Sequence, residues 1–289
     1  MTPLHFAFLM LINVAWGFNI VPVKLALETL PPITAALVRF ALLLLLCLPF
    51  LKWLPGKMGR VLVTGFVIGA LNFAVMNYAF AIATNMGALA IATQLGVPFS
   101  LILAIGVLGE RIRWIRTVGI VLAFGGVVVM SFDPAVFDQW PALLLVTFSA
   151  FIYAVGNIMM RQMTGVPALT LQAWVAAVSV VPLLLLSLLV EPGAVQALPD
   201  APARVFGYLL FAAGFSSVIG HAGIAWLLQR YPVTVISPFT LLSPLLSVLF
   251  SVLLLDSPLT GKMMIGGMIT LVGVGIITFR GARKEEERP

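Results

Sequence analysis

The chain has 289 residues and a net charge of +6, yet only 9% of its residues are charged while 62% are hydrophobic. A mean hydropathy of +1.15 is more than a water-soluble domain can bury, so lipid must cover the surface and the chain reads as an all-α polytopic membrane protein. Basic residues stand at the ends of apolar runs rather than in one patch, which argues against nucleic acid, and the single Cys47 supplies neither a disulfide framework nor a paired metal-ligand spacing.

Runs of about 20 apolar residues predict ten transmembrane helices, at residues 4–23, 32–51, 61–81, 87–108, 114–132, 141–160, 168–190, 205–228, 233–255 and 261–279. The first lacks a basic leader and a small-residue cleavage pattern, so it reads as a span rather than a signal peptide. Connections are short; only residues 191–204, rich in Pro and Ala, make a real loop. With the N-terminus inside, the inner segments carry Lys52, Lys57, Arg60, Arg111, Arg113, Arg116, Arg161, Arg230 and the tail residues Arg280, Arg283, Lys284 and Arg288. The outer segments carry Lys24, Arg204 and Lys262, together with Asp133, Asp138, Glu191 and Asp200. The positive-inside rule therefore predicts an N-in/C-in topology, with residues 281–289 as a cytoplasmic tail.

The stretch 93–132 recurs in diverged form at 240–279. At an offset of 147 residues Thr93 meets Thr240, Leu95 meets Leu242, Ser100 meets Ser247, Leu108 meets Leu255, Gly119 meets Gly266, Gly126 meets Gly273 and Val127 meets Val274. Two five-span halves, residues 1–137 and 138–280, must run in opposite senses because five is odd. The pattern is that of two inverted five-helix repeats, the plan of secondary transporters whose substrate site lies between the halves.

Several ordered motifs carry a family resemblance. Trp16-Gly17-Phe18-Asn19 with Lys24, then Pro31-Pro32 and Arg39-Phe40, Gly109-Glu110-Arg111, Gly156-Asn157, Arg230-Tyr231, and Pro238 with Pro244 resemble the EamA-type branch of the drug/metabolite transporter superfamily over nearly the whole chain. The resemblance implies a ten-helix inner-membrane carrier exporting amino acids or related small metabolites, similar to exporters of cysteine-pathway compounds. Asp256-Ser257-Pro258 departs from the acidic-Glu-Arg turn of many relatives, which bears on the shape of that hairpin.

Polar groups inside a bilayer are costly unless they face protein or a water-filled cavity, so they are the candidate site. Trp16 and Asn19 share a helix face with Lys24 beyond them, and Tyr153, Asn157 and Arg161 share another; by inverted symmetry these clusters read as substrate contacts or gates, or else as interhelical hydrogen bonds. Arg39 lies deep in the second span, where its planar fork would suit a substrate carboxylate or pair with Glu28. Pro98 frees the Gln94 carbonyl and predicts a kink; Pro238 and Pro244 do the same in the ninth span. Asn72 and Asn77 point about 140° apart, so one faces the cavity and the other packs; Tyr78 and Trp174 are further candidates. His221 is the one histidine deep in a span, and reads as a proton carrier or as a neutral packed imidazole.

These features favour a secondary transporter exporting amino acids or related metabolites by alternating access through a central cavity. The alternative is an uptake permease or a drug efflux carrier for other small amphipathic solutes, although every Asp and Glu falls in a loop, a tail or a span end, which disfavours cation efflux. An intramembrane enzyme would need a nucleophile with its base or a metal cluster, and His5, His221 and Cys47 supply neither. No cofactor or metal is expected. The expected partners are a small-molecule substrate and the lipid bilayer, with the protein acting as a monomer or homodimer.

Overall fold

Backbone groups in lipid find no water, so each apolar run must close its hydrogen bonds within a helix. The computed structural model of the chain describes residues 1–108, 114–161, 163, 165–228, 230–231, 236 and 239–286. Among these it contains helices and no strand. Nine of the described helices are long and apolar enough to cross a bilayer. They are α1 (Pro3–Leu27), α2 (Pro32–Phe50), α3 (Met58–Ile82), α4 (Met86–Val107), α5 (Trp114–Ser131), α6 (Trp140–Met160), α7 (Ala168–Val190), α8 (Ala203–His221) and, after the shorter apolar α9 (Leu242–Leu254), α10 (Gly261–Phe279). The chain is thus a multi-pass membrane protein. Gly109-Glu110-Arg111, Pro238 and much of the first part of the predicted span 233–255 lie outside the described residues.

Four helices are irregular. Asn19 interrupts α1 between Pro3–Phe18 and Ile20–Leu27. In α4 a 3-10 turn over Thr93–Leu95 separates Met86–Ala92 from Gly96–Leu108, four residues before Pro98 withholds its N–H. Phe66–Leu71 in α3 and Ala212–Ala222 in α8 are π-helical, the wider winding that recurs at functional sites.

Packing follows small residues and apolar faces. α1 packs on α8 and α9, α2 on α7, α6 on α3 and α4, and α5 on α10. The α5–α10 contact is backbone on backbone: a Cβ on Gly119 would lie 2.9 Å from the Gly273 carbonyl oxygen, and one on Gly266 would lie 2.6 Å from that of Gly126. The two helices therefore run antiparallel, held close by glycine. Gly65 and Gly69 bring α3 against Val175 and Ser179 of α7 in the same way. Large apolar side chains such as Leu45, Val121, Leu189 and Met268 point outward and form the lipid-facing surface.

Polar side chains tie the helix ends together at one end of the bundle. The Glu191 carboxylate accepts from Ile33 N and Thr34 N, each at 2.8 Å, and from Thr34 Oγ1 at 2.7 Å, capping α2 from the distant 191–202 loop. Gln139 Oε1 accepts from Thr84 N at 3.1 Å and Asn85 N at 2.9 Å. Asn85 caps α4 through Ala88 N at 3.1 Å and reaches the Pro258 carbonyl at 2.9 Å, while Thr260 donates to the Asp133 carboxylate. At the opposite end Trp174 Nε1 donates to the Lys52 carbonyl at 2.8 Å, and His5 Nδ1 pairs with the Tyr231 hydroxyl at 2.6 Å.

Candidate substrate cavity

The irregular segments of α3, α4 and α8 converge on one cavity of about 330 Å³. Its apolar wall is Phe40, Ile68, Phe73, Met76, Val146 and Val175; its polar groups are Asn72, Thr93, Gln94, Ser149, Tyr153, Gln172, Ser217 and His221. Both halves of the chain line it. The lining runs from mid-depth residues such as Val146 to Met160 at the end of α6 and Leu171 in the first turn of α7, so the cavity extends toward the Lys52 end and away from the Glu191 end.

A π-helix is wound more widely than an α-helix. In α8, Ser217 and His221 lie four residues apart within this segment and both line the cavity. His221 Nδ1 lies 3.3 Å from the Ser217 carbonyl, which can only accept, so Nδ1 carries the proton in that hydrogen bond. Trp16 fixes the other side of the ring, with centroids 5.5 Å apart, and its own Nε1 donates to the Ser216 carbonyl at 3.0 Å. Gly220 makes room for the indole, since a Cβ there would collide with Trp16 Nε1.

Arg39 stands directly behind this wall. It is 3% exposed, donates from Nη2 to Ser217 Oγ at 3.2 Å and to the Ala212 carbonyl at 3.4 Å, and stacks 4.6 Å from the Phe73 ring centroid. Its Nε is buried with no hydrogen-bond partner. Arg39 is the charged neighbour of His221, whereas Glu28 lies beside Lys24 rather than beside Arg39. Among the described interactions the buried guanidinium has no carboxylate.

The sequence-derived candidates divide by position. Asn72, Gln94, Tyr153 and His221 line the cavity, and Asn157 lies one turn from Tyr153 on α6. Asn72 Oδ1 accepts from Ser149 Oγ at 2.7 Å, linking α3 to α6, while Asn77 turns away and donates to the Pro32 carbonyl at 3.1 Å. Asn19 sits at the α1 break with a buried, unpartnered Oδ1. Lys24 is not in the lining: its Nζ donates to the carbonyls of Phe80 at 3.0 Å and Ala83 at 2.7 Å, where α3 ends. Tyr78 faces outward, and Trp174 stands edge-on to Trp53 at the Lys52 end. Pro98 follows the α4 break, and Pro244 falls in the first turn of α9, four residues after Thr240. The side chain of Arg161, like Pro238, lies outside the described residues. The sequence reading missed Thr93, Ser149 and both π-helical segments; Ser149 sits four residues before Tyr153 on the same face of α6, a spacing that would have found it.

A bundle of apolar helices broken around a polar internal cavity is the architecture of a membrane transporter. The chain belongs to the EamA-like transporter family, which it matches over residues 4–132 and again over 140–279. Two curated relatives, described as "probable amino-acid metabolite efflux pump", come from Escherichia coli (strain K12), 28% identical over 279 residues, and Salmonella typhimurium, 29% identical over 280 residues; each alignment covers 93% of this chain and 93% of the relative. An "uncharacterized transporter" of Archaeoglobus fulgidus is 27% identical, over 91% of this chain and 94% of its own. A solved crystal structure shares the fold across 99% of this chain and 100% of its own, with a TM-score of 0.61 at 18% identity.

Proposed function

We propose that the protein is a secondary transporter that exports amino acids or related small metabolites by alternating access through the cavity between two inverted five-helix repeats, residues 1–137 and 138–280. The observation that carries the reading is the cavity itself, lined by both halves and backed by a buried guanidinium that has no carboxylate among the described residues. Burying a lone charge costs several kcal/mol, and a substrate carboxylate would offset that cost when bound. The curated relatives described as amino-acid metabolite efflux pumps favour the same class.

The interhelix contacts support the inverted repeat. Exchanging the halves carries α1 on α8 and α9 into α6 on α3 and α4, and leaves α2 on α7 and α5 on α10 as self-matched pairs. The glycines obey the same exchange: Gly119 and Gly126 correspond to Gly266 and Gly273, and the contacts are Gly119 with Gly273 and Gly126 with Gly266. A pseudo-two-fold axis in the membrane plane requires that crossing pattern. The π-helical segments fall in the third helix of each half. On this reading α9 is the core of a tenth span, the topology is N-in/C-in in the inner (plasma) membrane, and the structure faces the cytoplasm with its outer end latched. His221, in the cavity wall, is the proton carrier. The cavity is complete within one chain, so monomer and homodimer serve equally.

Counterflow in proteoliposomes tests the proposal: labelled amino acids outside, unlabelled amino acids inside, with and without a pH gradient. Saturable exchange is expected, stimulated by the gradient in the parent protein and insensitive to it in His221→Asn. Exchange absent across the proteinogenic amino acids, from protein shown to be folded, would remove the substrate assignment.

A further inference from the structure

The cavity is electrically polarised. One wall, where α8 packs on α2, presents Ser217 and His221 with Arg39 behind them. Another, where the α4 break packs on α6, presents Gln94. Pro98 has no N–H to give, so the Gln94 carbonyl lacks its ordinary i+4 donor; it keeps only the shorter contact from Gly96 N, which leaves it a lone pair to share.

We infer, resting on the carrier reading above, that the cavity holds its substrate as a zwitterion, with the carboxylate against the Ser217 hydroxyl under the charge of Arg39 and the ammonium against the Gln94 carbonyl. Arg39 is more than nine-tenths buried and keeps one N–H, on Nε, without a partner. Its Nη2 already donates to Ser217 Oγ, which leaves the Ser217 proton for a ligand oxygen in exchange for its present 3.3 Å contact with the Ala212 carbonyl. An ammonium is the natural guest of a carbonyl with a lone pair to spare in a site with little water, as at the broken helices of membrane carriers. Between the two poles Phe40, Phe73, Met76 and Val146 make an apolar middle suited to an uncharged side chain. The recognised unit is therefore the α-amino-acid backbone, both of whose ends must be charged.

The test takes whichever proteinogenic amino acid exchanges fastest and compares, as competitors of its counterflow, its carboxamide, its N-acetyl derivative and its decarboxylated amine. Each derivative loses one pole and is expected to compete about tenfold or more weakly than the parent. In Arg39→Gln the preference for the acid over the carboxamide should collapse while discrimination against the N-acetyl compound persists. In Pro98→Ala, which restores a donor to the Gln94 carbonyl, the reverse should hold. Derivatives that compete as well as the amino acid would overturn the zwitterion site while leaving the carrier intact. Failure of every amino acid to exchange would overturn the carrier reading itself. The competition series on the unmodified protein decides the matter even if neither variant folds.

Discussion

Replacing Lys24 by Met removes the ammonium that holds the last carbonyls of α3, and loss of these charge-assisted hydrogen bonds should cost about 1–3 kcal/mol, read as a lower unfolding temperature in detergent. The same logic applies to Glu191→Ala: α2 loses an acceptor shared by two backbone N–H groups, at about 0.5–2 kcal/mol, whereas Glu191→Gln, which keeps one acceptor oxygen, should lose less. Glu191 was visible in the sequence only as a charge near a span end, and Lys24 read there as a substrate contact or gate rather than as the holder of a helix end. Their partners lie 56 to 59 positions away for Lys24 and more than 150 for Glu191, and no local pattern announces contacts of that range. Arg39 presents the opposite case. Its depth was legible, and so was its suitability for a carboxylate; that Glu28 sits with Lys24 instead required the fold.

Helix α5 against α10 offers a sharper test of packing, because its glycines are not equivalent. A Cβ on Gly126 would run into the backbone and Thr270 of α10, so Gly126→Ala should cost about 1–3 kcal/mol by overpacking. Neighbouring Gly125 meets nothing within 4 Å, and Gly125→Ala should be close to neutral in the same thermal assay. The repeat offset already paired these glycines, since their spacing survives divergence on a helix that permits no side chain at its seam. The α4 break was equally legible, because proline removes a defined hydrogen bond. The π-helical segments of α3 and α8 were not: no proline marks them, and their apolar and small residues suit an ordinary α-helix, so tertiary packing decides the winding.

At the scale of the whole molecule, the proposed alternating access demands that the two ends exchange exposure. The Gln172 position lines the cavity toward the Lys52 end, and Ser257, which accepts from Met86 N at 3.3 Å, lies inside the opposite latch. Apolar runs, charge placement and repeat spacing made the class of protein readable from sequence, because a bilayer imposes simple rules on length and polarity. The closing contacts were not readable, because they join loops whose composition carries no period. The most direct measurement is the labelling of single cysteines by a water-soluble maleimide, in Gln172→Cys and Ser257→Cys made on a Cys47→Ala background, with and without a saturating amino acid that exchanges. The account predicts that substrate slows labelling at position 172 and speeds it at position 257. Labelling at both positions that ignores substrate, in protein that still exchanges it, would contradict a carrier working through this cavity.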